Sequence, residues 1–276
     1  MLLSNLRSLT HRASPLPAAL LALVLAAGCA PAADDDSGAA ADEIINGTAV
    51  TTSTQEILGL ARIGTWCSGV LLNNRWAITA RHCVTVGQTP TFSVTVAGQT
   101  IAADRVVGVG TTSTDIALVH VVSPFTTRRE NPRPLQIPFT TTGHSTPLFT
   151  GGVNALLGRT LICYGAGVSG ALPTGGLTGG GVWLTAQLQV SSTGGTQINF
   201  NPNASGQITA PGDSGGPCYT IENGQRQLAS VVRGGGWSCP PSIPGCTINQ
   251  ASGITSSDQT TVTGVAAEIA QVIAAP

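Results

Sequence analysis

Gly212-Asp213-Ser214-Gly215-Gly216-Pro217 sets a serine between an acid and two glycines. In such a turn the backbone is tight and free of Cβ atoms, the hydroxyl stands exposed, and neighbouring N–H groups converge on one point. That is the equipment of an acyl-transfer nucleophile. A serine hydroxyl is a weak nucleophile at neutral pH, so the reading requires a histidine to take its proton and a carboxylate to fix that histidine's tautomer. Both stand upstream: His82 in Thr79-Ala80-Arg81-His82-Cys83, and Asp115 at the head of Asp115-Ile116-Ala117-Leu118, each at one end of a strand-like run. Taken singly, a histidine beside a cysteine or an aspartate capping a strand is usually structural. The six-residue serine motif is the specific one, and all three in the order His, Asp, Ser carry the reading. His120, in the middle of an apolar strand, reads as a packed or edge residue, while His11 falls in the leader and His144 in a connector with no partner evident.

The first thirty residues address the chain rather than build it. Arg7 and Arg12 precede an apolar run from Ala18 to Ala27, too short to span a bilayer, so residues 1–28 read as a signal peptide. The run ends in Leu25-Ala26-Ala27-Gly28-Cys29, which resembles the lipobox of a bacterial lipoprotein with Cys29 as the lipidated residue, although the leucine lies one place early. An ordinary signal peptide is the alternative, and Pro31 after a cut at Ala30 disfavours it. The chain is therefore expected to be exported to the membrane or cell surface. Residues 29–43 carry Asp34-Asp35-Asp36 and many alanines, with almost nothing to bury, and read as a disordered linker or propeptide.

About 230 residues remain, enough for one large all-β domain or two small cores. Glycine, threonine and valine abound, aromatics make up 4% of the chain, and helical periodicity is nearly absent before the C-terminus. Strands are expected at Glu56 to Ile63, Cys67 to Thr79 (broken at Asn73-Asn74), Phe92 to Val96, Ile101 to Val109 and Ile116 to Val122, forming a first barrel over residues 44–123. Residues 124–150, with five prolines between Pro124 and Pro147, read as a connector. A second barrel over residues 151–263 would use Thr160 to Tyr164, Trp183 to Val190, Gln197 to Phe200, Gly216 to Ile221, Leu228 to Arg233 and Gln259 to Thr263, with a hairpin turn at Glu222-Asn223-Gly224. Residues 264–275 form the one amphipathic helical stretch. The Gly-rich loop from Ser169 to Gly181 precedes no helix, which excludes a phosphate cradle.

With these residues in this order, the chain from about Ile44 to the C-terminus resembles the chymotrypsin/trypsin-like serine proteases. The resemblance implies an all-β fold of two packed antiparallel six-stranded Greek-key β-barrels with a C-terminal α-helix. His82 would be general base, Asp115 its orienting acid and Ser214 the nucleophile, as in the general template for such triads. The N–H groups of Gly212 and Ser214 would form the oxyanion hole, each donor worth roughly 3 kcal/mol in the transition state. Ile44-Ile45-Asn46-Gly47 looks like the family's activation sequence. Cleavage before Ile44 by another protease would free an ammonium that pairs with Asp213, although Glu43 stands where a basic residue is usual. Arg81, unusual beside the histidine, reads as solvated.

Seven cysteines less Cys29 leave six, an even number in an exported chain. The resemblance pairs Cys67 with Cys83. For Cys163 and Cys218 the family's bridge would fall at Leu161 and Thr220, one cysteine having moved two places forward and the other two back, shifts that cancel in an antiparallel pair. Cys239 and Cys246 then close a local loop. A metal site is disfavoured because the spacings fit no zinc motif, and no cofactor is expected.

By the same resemblance Ile208 is the floor of the primary specificity pocket, where a trypsin has aspartate, so an uncharged substrate residue is expected before the cut. Val232-Arg233-Gly234-Gly235 replaces the usual wall: Gly235 keeps its backbone groups for an extended substrate. Arg233 would lie near Asp115, there either competing for the carboxylate or swinging out towards acidic substrates. From Ile44 onward ten arginines oppose eight acids without a basic stripe, which argues against a nucleic-acid partner. Protein or peptide substrates are expected. The competing classes are a catalytically silent homologue acting as a binding module, and an esterase. The intact triad argues against the first and the lack of a βα alternation against the second.

Overall fold

The computed structural model describes residues 44–126, 145–167, 170–171, 177–178, 181–238 and 253–275. The leader, Cys29, the linker over 29–43, most of the connector with His144, and the Cys239 and Cys246 pair lie outside the described residues.

Strand β1 (Thr48–Ala49) precedes helix α1 (Thr52–Leu58), after which β2 (Leu60–Ile63), β3 (Cys67–Leu71), β4 (Trp76–Thr79), β5 (Ser93–Val96), β6 (Gln99–Val109) and β7 (Ile116–Val121) form a closed barrel in the ring order β2-β3-β4-β7-β6-β5. The second half holds β8 (Thr160–Gly165), a short hairpin of β9 (Gly170–Ala171) and β10 (Leu177–Thr178), then β11 (Leu184–Gly194), β12 (Gln197–Phe200), β13 (Pro217–Glu222) and β14 (Gln225–Gly234). A second short hairpin, β15 (Trp237–Ser238) with β16 (Gly253–Ile254), precedes β17 (Ser257–Thr261) and the C-terminal helix α2 (Ala266–Ala274). Strand β11 pairs with β8 through its first half and β12 through its second, closing a six-stranded barrel of order β8-β11-β12-β17-β14-β13, to which β1 is added as an outer strand on β11. Counted within each barrel the two rings have the same order, first-second-third-sixth-fifth-fourth, so each half is the same antiparallel Greek-key arrangement.

One expected strand is a correction. Glu56 to Ile63 was expected to be extended throughout, but its first part belongs to α1, because the Thr51 hydroxyl caps the Thr54 N–H at 3.2 Å and Gly59 ends the turn in the left-handed region at φ 64°. The strand begins only at Leu60.

Two strand faces explain why the apolar runs are continuous rather than alternating. On β7, Ala117, Val119 and Val121 face the interior of the first barrel, while Ile116 and Leu118 face a separate cluster between the barrels. There they join Leu60, Val70 and Ile78 of the first barrel, Tyr164, Tyr219, Leu228 and Val231 of the second, and Val265 and Ile269 at the C-terminal helix. Burial of both faces makes the barrel junction a rigid core rather than a hinge. The Cys163–Cys218 disulfide forms at a register pair of β8 and β13, both residues fully buried. Its closure of a 55-residue separation stabilises the second barrel by roughly 2–4 kcal/mol.

Candidate active site

Antiparallel pairing of β4 with β7 sets Thr79 opposite Ala117, which brings the residues just after β4 and just before β7 to the same rim. His82 lies in a single turn of 3-10 helix over Arg81–Cys83, tied back to β3 by the Cys67–Cys83 disulfide. Asp115 immediately precedes β7. The Asp115 carboxylate accepts twice from one residue: Oδ2 lies 2.7 Å from the His82 Nδ1, and Oδ1 takes the His82 backbone N–H at 2.9 Å. Burial pushes the Asp115 carboxyl upward, but the two His82 hydrogen bonds, the imidazole charge and the Arg233 guanidinium outweigh it and hold the acid below its ordinary range. The imidazole itself is about half exposed, with 47% of its side-chain surface open against 13% for Asp115. Arg81 is not merely solvated. Its guanidinium donates to the Thr111 carbonyl at 3.3 Å and lies against Gly108, bracing the loop that leads into Asp115.

Ser214 reaches this rim from the second barrel. Its carbonyl accepts the Ser68 N–H at 2.9 Å and touches the Cys83 Sγ at 3.7 Å, a contact rather than a hydrogen bond because that sulfur is spent in the disulfide. The sulfurs of Cys67 and Cys83 and a His82 ring nitrogen lie within 4.8 Å of one another, so one disulfide borders both the imidazole and the serine. The same disulfide removes both thiolates from any metal set.

The turn before Ser214 is built by Ala210-Pro211-Gly212-Asp213. Its Asp213 N–H bonds the Ala210 carbonyl at 3.1 Å, proline occupies the second position, and Gly212 takes the third at φ 93°. That is a type II turn, whose third position only glycine fills without strain. Among the described residues no protein acceptor takes the N–H of Gly212 or of Ser214, which leaves both donors for an incoming oxygen.

The Asp213 carboxylate is fully buried and folds back onto the first residue of the turn. Oδ2 accepts from Ala210 N–H at 2.7 Å and Oδ1 from Gly167 N–H at 3.0 Å, with the Ile44 backbone N–H as a further donor. Burial raises its carboxyl to about 7 against those three donors and the Arg62 charge. Ile44 is itself wholly buried, at φ 50°. A Cβ at Gly165 would lie 2.0 Å from the Asp213 Oδ1, so the acid fits only because that position has no side chain.

These features stand on a chain whose residues 44–254 match the family model described as Trypsin. The chain belongs to the trypsin family. No curated protein matches it. As a trypsin-family serine peptidase it departs from the expected pocket in what lies beside Ile208. The Ile208 side chain is buried with Ile44 and Val232 in the core of the second barrel, and its carbonyl accepts the Ile45 N–H at 2.9 Å. Next to it, the Thr209 hydroxyl hydrogen-bonds Ser257, and Gln259 donates to the same Ser257 oxygen at 3.0 Å, all three being buried. This polar cluster was not singled out from the sequence, because the Ser-Asp-Gln-Thr-Thr of β17 looks like a solvated strand.

Arg233 is exposed and is the extra residue of a bulge, since Val232 pairs with Gln259 and Gly234 with Asp258. Its charge reaches Asp115, but among the described residues no ion pair joins them. Gly235 packs against the backbone of Ser256, where a Cβ would come within 2.2 Å of the carbonyl. A cavity of about 600 Å³ is bordered by Ile63, Trp66, Cys83 and Phe92, with Trp66 79% exposed.

Proposed function

We propose that this peptidase is an endopeptidase in which Ser214 attacks the peptide carbonyl, His82 takes its proton and passes it to the leaving amine, and Asp115 holds the imidazole. The observation that carries this reading is the paired bond from Asp115 to the ring and backbone of His82, on a rim that also receives Ser214. With Nδ1 engaged by Asp115, the Nε2 lone pair is the one left for the Ser214 proton. The tetrahedral oxygen is taken by the N–H groups of Gly212 and Ser214, to which no acceptor among the described residues bonds. Water then releases the acyl group.

The chain is made as a zymogen, exported and held at the membrane through Cys29, and cleaved before Ile44 by another protease. Supporting this is the position of the Ile44 nitrogen, already among the donors to Asp213, where a new ammonium would meet a carboxylate. Because residues 29–43 contain no second cysteine, that cut would also release the domain. The buried Ile208 and the uncharged Thr209, Ser257 and Gln259 beside it favour an uncharged residue before the cut. The cavity bordered by Cys83 adjoins the residue after His82, so it suits a segment of bound substrate.

A fluorophosphonate is expected to modify Ser214, rapidly in protein beginning at Ile44 and slowly in the longer chain. Mass mapping of the adduct checks it. Absence of labelling in protein with Ile44 exposed would reverse the reading in favour of a silent binding homologue.

A further inference from the structure

Ser68, on β3 of the first barrel, is fully buried, and two of its polar groups make three hydrogen bonds to the second barrel. Its N–H donates to the Ser214 carbonyl at 2.9 Å. Its hydroxyl accepts the Ala166 N–H at 3.0 Å and donates to the Gly212 carbonyl at 3.2 Å. Its own carbonyl is anchored within the first barrel by the Thr79 hydroxyl at 2.8 Å. The hydroxyl is thus satisfied in both senses, and removing it leaves a part-buried carbonyl and a buried N–H without this partner.

The next peptide bond, Ala166–Gly167, has a second use. Its N–H donates to Asp213 Oδ1 at 3.0 Å, and its carbonyl accepts the guanidinium of Arg62, which also donates to the Thr65 carbonyl at 3.0 Å. A cation at the carbonyl end and an acid at the N–H end polarise one peptide in the same direction, so each bond strengthens the other. Arg62, like Ser68, comes from the first barrel.

We propose that Ser68 and Arg62 are positioning residues for the oxyanion turn, delivering its orientation across the junction between the barrels. The inference rests on the reading of Gly212 and Ser214 as oxyanion donors. Gly212, at φ 93° and without a side chain, is the residue of this turn freest to rotate, and the Ser68 hydroxyl pins its carbonyl. The adjoining Asp213 is held by the Ala166–Gly167 peptide, whose carbonyl Arg62 binds, while Ser68 fixes the N–H of the peptide before it. Neither residue touches the substrate, so their effect is on the fraction of time both N–H groups point at the same place.

The test uses protein beginning at Ile44 and compares wild type with Ser68→Ala and Arg62→Gln. Fluorophosphonate reacts by forming the Oγ–P bond of Ser214 while fluoride leaves and the hydroxyl proton passes to His82, so it reports the hole without requiring the natural substrate. Ser68→Ala is expected to label about 10- to 100-fold more slowly, and Arg62→Gln about 5-fold more slowly, amounts below the loss of a whole oxyanion donor. On any peptide the wild type cleaves, kcat should fall by the same factor while KM changes less than about twofold and the pH midpoint of the rate is unmoved. A structural defect would instead lower the amount of folded, labelled protein and leave the rate of the remainder intact. Labelling of folded Ser68→Ala within about threefold of wild type overturns the proposal, as does a loss that appears only in KM. Should Ser68→Ala not fold, Arg62→Gln decides alone, because its side chain is only half-buried, and full-rate labelling there overturns the proposal. A wild type that does not label at all sinks the triad reading itself, a result distinct from either variant's.

Discussion

Asparagine in place of Asp115 is expected to lower turnover about ten-thousandfold while leaving the protein folded. The reason lies in how the carboxylate divides its two oxygens. Oδ1 is already taken by the His82 backbone N–H, so an asparagine keeps its carbonyl there and must turn its NH2 towards the ring, where Oδ2 now sits 2.7 Å from Nδ1. A donor facing Nδ1 selects the tautomer with hydrogen on Nε2, and the ring then has no lone pair for the Ser214 proton. Because the backbone bond survives, the thermal midpoint should barely move. Turnover and midpoint measured on one preparation check both halves, and a loss of activity matched by a loss of folded protein would count against the tautomer argument.

A chain not yet cut before Ile44 is expected to become less stable as pH rises from about 4 to about 7. Asp213 keeps its proton in the folded protein up to about pH 7, whereas its ordinary value is 3.8. Between those limits the folded form binds the extra proton, so raising the pH favours unfolding. About three pH units at about 1.4 kcal/mol each make roughly 4 kcal/mol, or about 10 °C in midpoint for a domain of this size. Cleavage reverses the sign locally. The Ile44 nitrogen that now donates as a peptide N–H becomes an ammonium, which favours the carboxylate and removes the penalty. Thermal melts at about pH 4.5 and about pH 7.5 on both forms, with uncut Asp213→Asn as a control, measure this directly. A flat profile for the uncut wild type would mean that Asp213 finds a full counter-charge without cleavage.

The two predictions separate what one acid does for the proton from what the other does for the shape of the turn. Asp115 is held below its ordinary range by the two hydrogen bonds it accepts from His82. Asp213 is held above its range by burial, and only the Ile44 amine would restore its charge. The serine lies one residue after the second acid and across the barrel junction from the first.

Much of the barrel framework could be read from the residues because it depends on near neighbours. The alternation and apolar runs of Ser93–Val96, Ile116–Val121 and Gln197–Phe200 locate strands, and the Asn223-Gly224 turn has positive φ at both positions, 50° and 75°, as a tight hairpin requires. The Cys163–Cys218 pair, implied by the family resemblance with both positions displaced by two residues, falls at a register pair of β8 and β13, where such opposite shifts cancel. Helix α1 was missed because the strand was read from Glu56 straight through Gly59, the residue that ends the helix, while the Thr51 cap lies before that segment.

The order of the three motif residues and the glycine-rich turn were determined by the sequence itself, since each is a local choice of residue type that few other conformations would use. Only the tertiary structure decided that Ser68 and Arg62 grip the turn from the opposite barrel, that Thr209, Ser257 and Gln259 form a buried polar cluster, and that Ile208 is packed into a core. A serine in a strand or a polar strand near the C-terminus carries no mark of what it will face. Hydrogen bonds between residues 98 and 144 positions apart exist only once two closed barrels are pressed together, and the burial that gives those bonds their worth is a property of that junction.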